Sequence, residues 1–136
     1  MTDDPLILYV LMRTDVPDYM PGKAMAQANH AGTQFIGKAL RRSEKDRLGF
    51  EKHFLEWYGE AQGFGTCIVL GCTHMQMISR TAIANGLGLT NGIVHDPTYP
   101  IRDGHMIKTL PIDTCSYVFG HKSRCKLALE GLNLFS

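Results

Sequence analysis

Leu6-Ile7-Leu8-Tyr9-Val10-Leu11-Met12 is a continuous apolar run of strand-forming residues, and a short loop separates it from Pro21-Gly22-Lys23-Ala24-Met25-Ala26-Gln27-Ala28-Asn29-His30-Ala31-Gly32. A run without polar alternation fits a central strand covered on both faces. The intervening residues Arg13 to Gly22 hold two prolines and two aspartates, which makes them a loop at the strand's C-terminal end. In open α/β sheets that edge is where ligands bind. Pro21-Gly22 is a turn signal, and the alanine-rich run behind it favours a helix from about Gly22 to Ala39 or Leu40. At about 100° per residue, Lys23, Gln27, His30 and Gln34 form one polar stripe. Ala24, Ala28, Ala31, Phe35, Ile36 and Ala39 form the buried face opposite, so the stripe reads as the wall of a site.

Working outward, a second helix is expected through about Glu60, with Ser43 or Asp46 as its cap and Leu48, Phe50, Phe54, Leu55, Trp57 and Tyr58 as its apolar content. Trp57 and Tyr58 can stack a base, although aromatic residues at helical spacing more often serve a core. Gln62-Gly63-Phe64-Gly65 is a turn, Thr66 to Leu70 a second buried strand, and Met75 to Ala84 a third helix capped by Thr73. Met75, Ile78, Ala82 and Ile83 are its candidate core positions, and Asn85-Gly86-Leu87-Gly88 is a left-handed stop. Thr90 to His95 is a third strand, which Asp96-Pro97-Thr98-Tyr99-Pro100 ends, leaving the Asp96 carboxylate at a strand terminus. Ile101 to Pro111 reads as loop and Thr114 to Phe119 as a fourth strand. Ser123 can cap a last helix through about Glu130, and Leu132 to Phe135 is a tail able to pack back on the body. This order gives a three-layer α/β/α sandwich around a four-stranded mixed β-sheet. Its β-α-β units imply parallel strands with right-handed crossovers, and the last strand is a candidate to run antiparallel.

With 136 residues the chain fits a single domain, 1–136. A hydrophobic share of 44% with 20% charged residues is ordinary for a globular chain, and no window reaches the roughly 18 apolar residues of a membrane span. Thr2-Asp3-Asp4-Pro5 lacks the basic start of a signal peptide, so a cytoplasmic location is expected. Cys67, Cys72, Cys115 and Cys125 form no CxxC pair and read as free thiols buried as small hydrophobes. A net charge of +1 leaves a nucleic-acid partner open, because the local field matters more than the sum. Arg13, Lys23, Lys38, Arg41, Arg42, Lys45 and Arg47 cluster near the first helix, and Lys122, Arg124 and Lys126 near the C-terminus.

Several standard motifs are missing: GxGxxG after the first strand, a phosphate loop with GK[ST], and a GxSxG elbow. His30, His53, His74, His95, His105 and His121 show neither HExxH nor paired Cys/His ligand spacing, so no metal site and no cofactor is expected. His95 and Asp96 are neighbours whose side chains on a strand point to opposite faces. What remains is convergence. With right-handed crossovers, the start of the first helix and the end of the Thr90 to His95 strand share one sheet edge, so Lys23 and His30 can face Asp96 and Thr98. A cation, an imidazole, a carboxylate and a hydroxyl suffice for water-mediated ester hydrolysis, one group activating water and another stabilising the oxyanion.

Arg13-Thr14-Asp15, followed by Gly22-Lys23-Ala24-Met25-Ala26-Gln27-Ala28-Asn29-His30-Ala31, resembles the R-x-D and G-K-x-A-A-Q-x-x-H-A signature of the archaeal- and eukaryotic-type (type 2) peptidyl-tRNA hydrolase family. Ala84-Asn85-Gly86-Leu87 is similar to that family's A-x-G-L, and Ile93-Val94-His95-Asp96 to its strand ending in aspartate. Thr114 to Gly120 resembles its closing strand, and Leu132 to Phe135 its terminal tail. The resemblance implies cleavage of the ester between a peptide and the 3′ end of tRNA, without metal. Lys23, His30, Asp96 and Thr98 would be catalytic, with Gln27, Arg13 and Tyr99 binding substrate. It further implies peptidyl-tRNA as the partner, a role in translation and ribosome rescue, and a possible homodimer. Where the family has D-x-G-R-T-Q, this chain has Asp96-Pro97-Thr98-Tyr99-Pro100, so either Thr98 or Tyr99 stands at the family's threonine. Two other readings stay open: a non-catalytic tRNA-binding or regulatory protein on the same fold, and a hydrolase of another small ester or amide.

Overall fold

A computed structural model describes residues 3–41, 44–60 and 65–136, and the backbone alone for 44–51. Among them the chain forms β1 (Leu6–Arg13), α1 (Pro21–Leu40), α2 (Glu44–Gly59), β2 (Cys67–Cys72), α3 (His74–Gly86), β3 (Thr90–Asp103), β4 (Met106–His121), α4 (Lys122–Leu129) and β5 (Asn133–Leu134). The result is a mixed α/β fold on one five-stranded mixed sheet of order β3-β4-β1-β2-β5. β1 and β2 are parallel, and every other neighbouring pair is antiparallel. The fifth strand, absent from the four expected, is the tail: Leu134 pairs with Leu70 and Asn133 with Gly71.

β1 is covered on both faces, as its unbroken apolar run implies. Leu6, Leu8, Val10 and Met12 pack with Ala24, Ala31 and Phe35 of α1 and Trp57 of α2. Ile7, Tyr9 and Leu11 pack with Met77 and Ala84 of α3 and with Cys125, Ala128 and Leu129 of α4. The period of two along a strand thus divides one segment between two cores. Phe35 centres the first of these, with its ring 4.7 Å from that of Phe119 and 5.5 Å from that of Trp57. The Trp57 indole is buried and donates to Thr66 O at 2.8 Å, so it serves the core rather than an exposed base. The cap assigned to Ser43 and the turn at Gln62-Gly63-Phe64 lie outside the described residues, as do Arg42 and the side chains of Lys45, Asp46, Arg47, Leu48 and Phe50.

Three local expectations are corrected. Residues 101–111 are not a loop: β3 and β4 continue past Asp96 as a two-stranded arm, pairing Tyr99 with Leu110 through to Asp103 with Met106. The prolines are tolerated because a register skip between Asp96 and Tyr99 takes up Pro97, and because β3 is an edge strand, where Pro100 can lack an N–H. Asp96 therefore sits at an irregularity inside a strand and not at its end. In α3 the buried residues are Met77, Thr81 and Ala84, whereas Met75, Ile78 and Ile83 are exposed. The Thr73/Gln76 capping box starts this helix, and Thr81 bonds Ser116 Oγ at 2.8 Å, so a buried threonine occupies a core position that the apolar pattern alone misses. Finally, Ser123 is not the cap of α4. Its N–H and hydroxyl both bond Asp4, at 2.8 and 2.6 Å, so the N-terminal segment holds that helix start.

The polar stripe of α1 is for much of its length a seam along the edge strand. Lys23 Nζ donates to Pro100 O at 2.7 Å, Gln34 Nε2 to Ile93 O at 3.2 Å, and Lys38 Nζ to Asn91 O at 2.7 Å. Side chains of the helix thereby cover carbonyls of β3 that would otherwise face open solvent at the sheet edge.

Candidate active site

β3 is antiparallel to β4, and β4 to β1, so β1, β2 and β3 all point the same way. The C-terminal ends of β1 and β2 and the irregularity at Asp96 within β3 lie at one level of the sheet, and the first turns of α1 rise beside them. Gln27 is the joint. Buried at 5% exposure, it donates from Nε2 to Asp96 Oδ2 at 2.7 Å and accepts from the Thr114 hydroxyl at 2.7 Å. A carboxylate only accepts, so Asp96 fixes which end of the amide faces it. The other Asp96 oxygen accepts from the Thr98 N–H at 2.9 Å and from its hydroxyl at 3.4 Å, a turn that closes the skipped residues onto the carboxylate.

Lys23, one helical turn before Gln27, has all three ammonium donors committed. They reach Asp18 O at 3.1 Å, Asp18 Oδ2 at 2.8 Å and Pro100 O at 2.7 Å. Its charge also lies 5.2 Å from the centroid of the Tyr99 ring, within range of a cation–π attraction. Asp18 bonds Arg102 as well, through the backbone N–H at 2.9 Å and the guanidinium Nη2 at 2.9 Å. The Arg102 guanidinium, followed by the Lys23 ammonium, holds its carboxyl well below the usual carboxylate range. Tyr99 is buried at 2% exposure, and that burial raises its phenol pKa, with the negative charges of Asp18 and Asp96 adding to the effect.

Between these groups lies a cavity of about 10 Å³ lined by Arg13, Lys23, Gln27, Tyr99 and Thr114, with Met12 and Tyr19 beside them. That is room for about one water molecule. Arg13 is braced by Asp15 Oδ1 at 3.0 Å and by Asp113 O at 3.0 Å. His30 stands apart: it is exposed and makes no hydrogen bond or ion pair with the described residues. His95 bonds Asp113 Oδ1 at 2.8 Å rather than its neighbour Asp96.

Of the residues singled out from sequence, the fold brings Arg13, Lys23, Gln27, Asp96, Thr98 and Tyr99 together and leaves His30 outside the bonded set. Asp18, Arg102 and Thr114 were missed. Asp18 carried only the general signal of a loop aspartate, Thr114 that of a polar residue opening a buried strand, and Arg102 lay in the segment read as loop. Cys72, Cys115 and Cys125 are buried, and burial pushes their thiols up to about 11, 12 and 12, which makes them poor nucleophiles at neutral pH. Cys67 is exposed, contrary to expectation. No helix among the described residues is long and apolar enough to cross a membrane.

The class defined here is a mixed α/β fold with a compact polar site in which a buried amide, Gln27, joins a carboxylate, Asp96, to a hydroxyl, Thr114, with Lys23 one helical turn away. Compared with known proteins, the chain matches no family model and no curated sequence.

Proposed function

We propose that this chain is a peptidyl-tRNA hydrolase that cleaves the ester between peptide and tRNA by direct attack of water. The observation that carries the reading is the Gln27 to Asp96 bond of 2.7 Å beside Lys23, which ties the two halves of the signature into one site. Asp96 uses one oxygen for Gln27 and one for Thr98, and a carboxylate has about four acceptor positions, so it keeps capacity to orient and deprotonate water. Lys23 stabilises the developing oxyanion or holds the terminal phosphate, and the exposed Thr98 positions the ester. His30, lacking a bond to Asp96, is assigned no proton relay. Phosphate contacts supply most of the affinity for tRNA. The reading extends to one three-layer α/β/α domain with α1 and α2 on one face and α3 and α4 on the other, to a cytoplasmic location, and to a homodimer.

A second reading, a tRNA-binding protein without turnover, is favoured by one specific fact: every donor of Lys23 is already engaged by Asp18 and Pro100. One assay separates the two. Purified protein is given a defined peptidyl-tRNA, and release of peptide is followed alongside tRNA binding. Lys23→Ala and Asp96→Ala abolish release while leaving the far-UV spectrum unchanged. Full activity in both variants overturns the assignment, and binding without release by the parent protein selects the second reading.

A further inference from the structure

Next to the one-water cavity runs an open groove of about 300 Å³, and the two share Met12, Tyr19 and Ala24 as a common wall. Beyond that wall the groove passes Ala28 of α1, Val69 of β2 and Phe135, which follows β5. It exists because α1 presents alanines there, leaving space between the helix and Val69 in the middle of β2, and because the tail closes the far side. Phe135 is pinned by its N–H bond to Val69 O at 2.9 Å, and its ring lies 6.0 Å from that of Tyr19. No ammonium, guanidinium or carboxylate side chain lines it.

We infer that this groove is a subsite for a bulky apolar side chain on the acyl part of the ester, an inference that rests on the hydrolase reading above. The occupant follows from charge, position and size. A phosphate backbone needs cations, and a base needs hydrogen-bond partners for its edge; the lining side chains offer no cation and few polar groups. The shared wall puts the groove beside Lys23 and Gln27, where the ester carbonyl would lie, so whatever fills it is attached close to the scissile bond. About 300 Å³ is at the lower end of ligand pockets and suits an aromatic or branched side chain rather than a second domain.

The test compares N-acetyl-phenylalanyl-tRNA with N-acetyl-glycyl-tRNA. The parent protein is expected to favour the phenylalanyl ester in kcat/KM by about 10-fold or more. Ala28→Trp, at a residue that lines the groove and not the one-water cavity, is expected to bring the ratio near one and to preserve hydrolysis of the glycyl ester. A binding measurement on the unaltered protein is independent of turnover and of that variant's folding. N-acetyl-phenylalaninamide shifts the methyl resonances of Ala28 and Val69, and N-acetyl-glycinamide does not. Equal rates on the two esters, or a preference that Ala28→Trp leaves intact, overturns the inference with the hydrolase reading untouched. Adenosine shifting the same methyls in preference to the amide overturns it in favour of a base. Failure to hydrolyse either ester sinks the hydrolase reading, and absence of methyl shifts then sinks the subsite as well.

Discussion

Gln27→Glu exchanges one terminal group of a buried side chain for another of the same shape, and its consequence is pH-dependent. The amide sits 2.7 Å from Asp96 Oδ2 on its donor side and 2.7 Å from the Thr114 hydroxyl on its acceptor side. An ionised carboxylate at that position places two negative charges about 4 Å apart, a repulsion of about 4 kcal/mol at an effective dielectric constant of about 20. A protonated carboxyl reproduces the amide instead, with its O–H donating to Asp96 and its carbonyl accepting from Thr114. The pair therefore takes up one proton on folding. Holding a carboxyl of ordinary pKa about 4.3 protonated costs about 1.36 kcal/mol per pH unit, so about 3.7 kcal/mol at pH 7 and about 1 kcal/mol at pH 5. The native state binds more protons than the unfolded one, so stability rises as pH falls. Urea unfolding of parent and variant should give a stability gap about 2.5–3 kcal/mol larger at pH 7 than at pH 5, with similar slopes against denaturant. A gap equal at the two pH values within about 0.5 kcal/mol would refute the buried amide–carboxylate bond as described.

Further expectations concern the rest of the chain. Asp18 has its folded-state pKa depressed by Arg102 and Lys23, so its contribution is complete above the unfolded value near about 3.9 and is lost as pH falls through the lower folded value. Thermal midpoints of the parent and of Asp18→Asn should thus converge between about pH 5 and pH 2, and a gap that stays constant contradicts the ion pairs of Asp18 with Arg102 and Lys23. Met77→Ala should cost about 2–5 kcal/mol in chemical denaturation, whereas Met75→Ala, one helical face away and 74% exposed, should stay within about 0.5 kcal/mol. A thiol-reactive disulfide reagent at neutral pH should modify Cys67 alone in the native protein and all four cysteines after unfolding; rapid labelling of Cys115 would contradict its burial.

The site was legible in part, for a physical reason. Lys23 and Gln27 lie four residues apart on one helix, and helical geometry alone puts them on one side. Asp96 lies 69 residues from Gln27, yet the direction of the strands was enough to bring it to the same edge. Asp18 and Arg102 could not be foreseen in the same way, because their ion pair spans 84 residues and depends on the β3–β4 arm that the prolines disguised. His30 shows the converse limit: a shared helical stripe sets direction but not reach.

What the sequence determined by itself is the set of features that depend on local pattern. These are a central strand covered on both faces, the start of α1 and its alanine and phenylalanine core face, the parallel β1–β2 pair, and a tail that returns to the body. The strand and helix features follow from the period of side chains or from turn chemistry over at most about twenty residues, and the parallel pair follows from the order of elements, since a strand–helix–strand unit returns in the same direction. Only the tertiary structure decided the phase of α3, the extension of residues 101–111 into an arm, the exchange of Ser123 for Asp4 at α4, and the engagement of Lys23 by Asp18 and Pro100. In these cases a distant partner selects among local options of similar energy, and that choice leaves no trace in the order of neighbouring residues.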